Sequence, residues 1–359
     1  LLKILQYNNG TLVNVLRTKG KRRLKLLEPY LEEDYENTFK KYDRFHMTMN
    51  TVFDRSGAVP HYFKMSPSHP MPAYDPTFNK SFDEVAEARA KELLSKGKEI
   101  KVCWSGGIDS TYVLLLLLKH ANDKNQIIVY GSYSSIIESG NIFDIYIKKN
   151  YRYEINVYAS DKTRKYNDDC LYVTGFQGNQ LFGPTDNFFA ENQAQVFFHH
   201  TMGTPKTIYE DYKTNVDPEL LEFIQPAIDR SPRKIETVAD LRWYCIFNFD
   251  WHNGLYYLIG EMDKRRIDNT YHFFDTIDFQ KWAITTKDPW TKVRGNSNTH
   301  RWQMRDFIAD CGLVDYSKNK PKAISNLCWH KGNWYFLLED YTNLYYNKNS
   351  DTIGERDEY

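Results

Sequence analysis

Glu99-Ile100-Lys101-Val102-Cys103-Trp104-Ser105-Gly106-Gly107-Ile108-Asp109-Ser110, running on through Thr111 to His120, is the most informative segment of the sequence. Its first six residues form a short strand. Two glycines then make a turn, and Tyr112 to Leu118 is an unbroken apolar run. A helix that is apolar all round has no face for water and must be buried. Strand, tight turn and buried helix make half of a parallel βα unit.

The pattern repeats downstream. Gln126 to Tyr130, with Val129 inside it, reads as a second strand. Ile142 to Asn150 reads as a helix, Tyr153 to Tyr158 as a third strand, and Leu171 to Gly175 as a fourth that ends in another glycine turn. Upstream, Ser81 followed by Glu84 is a capping box, with Phe82, Val85, Ala86 and Leu93 on one helical face and Gly97 as the stop. Beyond about residue 190 the pattern turns mainly helical and rich in aromatics. The expectation is an α/β fold: a parallel, five-stranded type of sheet with helices on both faces and a mainly helical C-terminal part. Pro60, Pro67, Pro70, Pro72 and Pro76 punctuate the start. Residues 1–80 are therefore read as a small lobe and connector, 81–345 as the main domain, and 346–359 as a polar, fraying tail.

The turn itself is built for phosphate. Ligands of open parallel sheets bind beyond the carboxyl ends of the strands. Gly106 and Gly107 let the backbone approach an anion and aim N–H groups at it. Ser105 and Ser110 add hydroxyls, and the helix N-terminus adds partial positive charge. Asp109 would repel phosphate directly, so its natural role is to hold Mg²⁺ against the phosphates. A bare helix-capping turn is the plainer alternative. No Gly-Lys-Ser/Thr follows, so the loop is not of the Walker A type.

Composition narrows the class. Lys+Arg and Asp+Glu both number 47, for a formal net charge of +0. Proteins that live on nucleic acid or anionic membranes carry a basic excess, which argues against both partners. Cys103, Cys170, Cys245, Cys311 and Cys328 form no CxxC pair, so neither a disulfide framework nor a zinc site is expected. With no signal-peptide pattern, a reducing, cytoplasmic setting fits. His199-His200 is read as ordinary packing or surface, and Phe247 to Tyr257 as buried core rather than a base-stacking platform.

The loop resembles the SGGxDS pyrophosphate loop of the N-type ATP pyrophosphatases, which split ATP into AMP and pyrophosphate. Three later blocks are similar to the synthetase domain of glutamine-dependent asparagine synthetases, in the same order. They are Thr174 to Gly183 (family SGEGADELFGG), Asp268 to Asp275 (ExRxPFLD), and Arg301 to Arg305 followed by Asn319 to Lys322 (KxxLR and RPK). The resemblance implies an adenine nucleotide α-hydrolase-like fold, with ATP and Mg²⁺ bound and a small-molecule carboxylate adenylated for attack by ammonia or an amine. It implies a nucleotide set of Ser105, Gly106, Gly107, Asp109, Ser110, Val129 and Gly175. Asp109 and Asn179 become the metal ligands. Lys322 stabilises charge on the leaving pyrophosphate, Arg301 stands for the family lysine, and Asp268 is a general base toward the amine. A surface carboxylate is an equally good reading of Asp268.

Three positions depart from the family. Phe176 replaces a glutamate, Asn179 an acidic metal ligand, and Gln180 a second acid. An amide oxygen can ligate Mg²⁺ but does not neutralise it, and Phe176 favours a larger or more apolar acid than aspartate. The glutaminase part of the family is not recognisable in these residues. Its catalytic cysteine is terminal, whereas the first cysteine here is Cys103. Free ammonia, an amine or a separate glutaminase subunit would then supply nitrogen, and a homo-oligomer is compatible with this reading. The alternative is a catalytically degenerate ATP-binding protein acting as a regulatory or complex subunit.

Overall fold

The computed structural model describes residues 5–7, 54–58, 69–156, 169–183, 208–214, 218–252, 269–286, 301–320, 327–330, 333–336, 344–347 and 352–355. Five parallel strands form its centre: β1 (Glu99–Cys103), β2 (Ile127–Ser132), β3 (Arg152–Asn156), β4 (Cys170–Thr174) and β5 (Thr270–His272). Their order across the sheet is β3-β2-β1-β4-β5. The chain winds outward from β1 through β2 to β3, then returns to the other side of β1. The strand order therefore reverses between β1 and β4, and ligands of open parallel sheets bind beyond the carboxyl ends of the strands at such a reversal.

Period-two alternation sorts the strand residues. Ile100, Val102, Ile127, Val129, Leu171 and Val173 enter the main core. Tyr130, Cys170 and Tyr172, with Cys103 against them, form a separate cluster. The main core receives α1 (Phe82–Ser95) and α2 (Ile108–His120). The capping box at Ser81 is present in both directions: Ser81 N donates to Glu84 Oε2 over 2.7 Å, and Glu84 N donates to Ser81 Oγ over 3.2 Å. Every residue of α2 from Ser110 to Leu118 is buried, as its apolar run requires. Phe82 packs against Tyr112, Phe182, Phe274, Phe279 and Trp282. Burying a ring of this kind stabilises by about 2–3 kcal/mol.

After β2 the chain forms α3 (Tyr133–Ser139), which the sequence reading passed over. The helix expected over 142–150 is a π-helical turn, Phe143–Ile147, running into Lys148–Asn150. After β4 come α4 (Gly178–Phe182), α5 (Tyr209–Lys213), α6 (Pro218–Ile228) and α7 (Val238–Phe249). After β5 come α8 (Ile277–Thr285), α9 (Trp302–Asp310) and α10 (Val314–Asn319). This second half is mainly helical, and Phe247, Phe249 and Trp251 are buried core residues, as expected. Helices covering the second face of the sheet are not among the described residues.

Two departures concern the ends. Leu5–Tyr7 pairs antiparallel with Asn333–Phe336, which pairs in turn with Leu327–His330. Leu344–Asn347 pairs antiparallel with Thr352–Glu355, where a fraying tail was expected. The stretch Asp54–Ala58 is tied to α7: Asn248 Nδ2 donates to Asp54 Oδ1 over 2.7 Å, and Ser56 N donates to Asn248 Oδ1 over 3.0 Å. No described helix is long and apolar enough to cross a membrane. Cys103, Cys170, Cys245 and Cys311 are free thiols. His199 and His200 lie outside the described residues.

Candidate functional site

β1 ends at Cys103 and the chain turns at once. Trp104 N donates to Tyr130 O over 2.8 Å, and Trp104 Nε1 donates to Thr111 Oγ1 over 3.0 Å. These bonds fix the strand side and the helix side of the turn. Inside it, Ser105 N donates to Ser110 Oγ over 3.1 Å, Gly107 N to Ser105 Oγ over 3.3 Å, and Ser110 Oγ to Gly107 O over 3.2 Å. Gly106 sits at φ +75, and a Cβ there would lie 2.2 Å from Ser135 O and 2.9 Å from Ser139 N. Only glycine fits this position, both for its backbone angle and for the close approach of α3. Tyr316 OH of α10 donates to Gly106 O over 2.8 Å and lies 2.9 Å from Thr111 Oγ1.

Asp109 stands in the first turn of α2, and the turn after β4 closes over it. A Cβ on Gly178 would lie 2.6 Å from Asp109 Oδ1, and one on Gly175 would lie 2.9 Å from Ser110 N. The two glycine turns therefore pack backbone to backbone at the point where strand order reverses. Arg301 Nη1 donates to Asp109 Oδ2, across 192 residues of chain. Asp109 Oδ1 and Arg301 Nε are buried with no hydrogen-bond partner. Burial pushes the Asp109 carboxyl above its usual range, while Arg301, then Arg305 and Lys320, pull it back.

The cations come from the last two helices. Arg301 caps α9 with a left-handed backbone, φ +59. Arg305, one turn on, donates through Nη1 to Ser317 O, and Ser317 Oγ donates to Arg305 O over 2.6 Å. Burial lowers the Arg305 pKa, and Arg301 adds to that. Lys320, at the C-cap of α10, pairs with Glu138 of α3. Their side chains are 6% and 10% exposed. The Glu138 Cβ would lie 3.1 Å from a Cβ on Gly106, so this pair stands beside the loop.

The second turn has a different character. Gln177 adopts φ +70 and its Nε2 donates to Trp251 O over 3.2 Å. Gln180 Nε2 donates to Asp250 Oδ2 over 2.9 Å. Phe176 is 39% exposed and meets the His272 ring edge-on, at 5.7 Å between centroids. His272 Nδ1 lies 2.7 Å from Thr174 Oγ1, and burial, with Arg89 nearby, pushes its pKa down to about 3. Asp275 accepts from Trp251 Nε1 over 3.2 Å, and burial pushes its carboxyl up to about 6 against the pull of Arg55.

The structure thus brings together Ser105, Gly106, Gly107, Asp109, Ser110, Gly175 and Arg301. Val129 is 0% exposed with its side chain in the main core. Its strand reaches the loop two residues later, at Gly131, where a Cβ would lie 3.1 Å from Trp104 O. Asn179 is exposed on α4, one residue past the glycine that covers Asp109. Asp268 and Lys322 lie outside the described residues. Sequence reasoning missed Glu138, Tyr316 and Lys320 as parts of the site. Lys320 lay inside a quoted motif, but Glu138 and Tyr316 gave no local signal.

Among the described residues no group of three or more His, Cys, Asp or Glu could hold a metal. Mg²⁺ needs only one or two carboxylates when substrate phosphates complete its shell, so Asp109 Oδ1 is a fitting donor. Backbone N–H groups, hydroxyls and three nearby cations suit the loop to a polyanion. The chain matches no protein-family model, no curated protein and no solved structure.

Proposed function

We propose that this chain binds Mg²⁺ and ATP at the Ser105–Ser110 loop and adenylates a small-molecule carboxylate, in the manner of asparagine-synthetase-like ATP pyrophosphatases with an adenine nucleotide α-hydrolase-like fold. One observation carries the reading. Arg301, from a block picked out by the same resemblance, meets Asp109 of the loop at the point where strand order reverses. In the reaction a carboxylate oxygen attacks the α-phosphorus, and the bond to the bridging oxygen breaks. Pyrophosphate leaves with the electron pair. Ammonia or an amine then attacks the acyl carbon, AMP leaves, and the nitrogen loses a proton to a base. Preorganised cations lower the cost of the charge that builds on the departing pyrophosphate. Arg301 and the cations beside it have that role here, with Lys322 as a further contributor and Asp268 as the base. Bound Mg²⁺ would neutralise phosphate charge and orient the chain of phosphates. A cytoplasmic setting, with a separate glutaminase as one source of nitrogen, belongs to the same proposal. The test is release of pyrophosphate from ATP across a panel of carboxylic acids, starting with apolar and aromatic ones because Phe176 and a neutral His272 line the adjoining turn. Acid-dependent pyrophosphate supports the reading, and production of ADP and phosphate alone refutes it.

A second reading is favoured by one feature, the second turn. Gln180 is occupied by Asp250 and the turn carries no acid of its own. On that reading the chain binds ATP without turning it over, as a subunit of a larger assembly. Calorimetry would then show ATP binding while no acid elicits pyrophosphate.

A further inference from the structure

The Lys320–Glu138 pair is costly where it stands. Two charges with side chains 6% and 10% exposed have lost most of their hydration. Their mutual attraction offsets that loss at best, so such a pair is poor evidence for stability. Its position is more telling. Glu138 belongs to α3, whose Ser135 and Ser139 backbone atoms press on Gly106. Lys320 ends α10, whose Tyr316 hydroxyl holds Gly106 O. The helices that carry the two partners thereby both touch the same glycine of the loop. The geometry points to Lys320 as a cation that contacts the ATP phosphates at this loop, with Glu138 as the positioning residue that holds its ammonium at Gly106 before nucleotide arrives.

The arrangement parallels Arg301 on Asp109. In each pair a cation from the C-terminal helices is neutralised by a carboxylate beside the turn. Phosphate oxygens entering the loop offer each cation a second, stronger anion. An ammonium is a compact point charge on a flexible stem, so Lys320 can turn toward phosphate without a backbone shift. The inference rests on the loop being the nucleotide site.

The experiment measures binding of Mg²⁺ with ATP, and separately of adenosine, to the full chain by calorimetry. Lys320→Met is expected to weaken ATP binding by about ten- to a hundred-fold, the loss of one charge-assisted contact. Adenosine, which has no phosphate, is expected to bind unchanged. Lys320→Arg should restore most of the ATP affinity. The single Met variant takes the Lys320 cation away from a Glu138 side chain only 10% exposed, so Glu138→Gln with Lys320→Met is made alongside it to keep a folded comparison. That double variant should lose the preference for ATP over adenosine in the same way. If it binds ATP as tightly as the parent, or loses ATP and adenosine equally, Lys320 is a structural cation and the inference is overturned. A parent chain that binds no ATP overturns the reading of the loop, and this inference with it.

Discussion

The two glycine turns of this molecule occupy equivalent places and do opposite things. One follows β1, the other follows β4, and the strands are hydrogen-bonded neighbours running the same way. Each turn leads into a helix. In the first, glycine takes the left-handed backbone position, and the side chains left over are two hydroxyls and a carboxylate. Arg301, Arg305 and Lys320 surround it. In the second, Gln177 takes the left-handed position and its amide is used to hold Trp251. Gln180 is likewise fixed, on Asp250, and Phe176 faces outward beside His272. Topology therefore supplies two turns at the sheet's carboxyl end, and side-chain chemistry divides them into a charged one and a neutral one.

The sharpest way to break the first turn is Gly106→Ala. Its Cβ would meet Ser135 O at 2.2 Å, a backbone atom that cannot swing away, at a backbone angle of φ +75. Left-handed strain of about 1–2 kcal/mol adds to an overpacking cost of about 1–3 kcal/mol. The expected loss is about 2–5 kcal/mol, read from urea unfolding midpoints. A loss under about 1 kcal/mol would mean that α3 does not seal the loop as described.

Arg301→Met comes next. It leaves Asp109 with neither oxygen bonded, in a site where its side chain is only 21% exposed. Breaking a fully buried pair costs about 3–5 kcal/mol; partial exposure reduces that, to about 2 kcal/mol. The Asp109→Asn, Arg301→Met double variant should recover most of the stability and still bind ATP weakly. If the single and double variants are equally unstable, Arg301 acts through its stem and its cap rather than through Asp109.

Much of the first turn was legible in the sequence, and little of the second. A strand, two glycines and an apolar helix obey local rules, and local rules survive folding. The capping box at Ser81 and the burial of α2 were readable for the same reason. β5 was not. Thr270–His272 is three residues long, and it is a strand only because β4 offers it a parallel edge. The π-helical turn at Phe143–Ile147 has a helical pattern, and the sequence carries no mark of the wider hydrogen bonding. Asp109 and Arg301 were each nameable, but their contact spans 192 residues and belongs to tertiary packing. Glu138 and Lys320 were invisible as a pair because neither helix knows, from its own residues, where the other ends.

The neutrality of the second turn has a pH signature. The His272 pKa falls from 6.5 to about 3, so between those values the unfolded chain holds a proton that the folded chain does not. Stability present above pH 6.5 is therefore lost on acidification toward pH 3, at about 1.4 kcal/mol per pH unit. Asp275 runs the other way. Its carboxyl rises from 3.8 to about 6, so the folded chain keeps a proton the unfolded chain has lost. Its contribution is full below pH 3.8 and is lost as pH rises through 6. The two slopes oppose each other between about pH 4 and 6, and the parent should be nearly flat there. His272→Gln should expose a fall in stability with rising pH, and Asp275→Asn a rise, each measured by urea unfolding across that window. Parallel profiles for both variants would show that these groups do not titrate with folding.

The smallest effect tests whether the second turn needs its own residue. Gln177→Gly removes a buried amide's bond to Trp251 O, a loss of about 1 kcal/mol. The same change relieves a non-glycine residue at φ +70, a gain of about 1 kcal/mol. It also removes Gln177 Oε1, a buried acceptor with no hydrogen-bond partner. The net change in unfolding midpoint should stay within about 1 kcal/mol, against several for Gly106→Ala. The two turns then differ in kind: the first requires glycine because another backbone lies against it, whereas the second merely tolerates glutamine. A loss above about 2 kcal/mol for Gln177→Gly would remove that distinction. It would show that the amide holding Trp251 is as necessary to the fold as the glycine beneath α3.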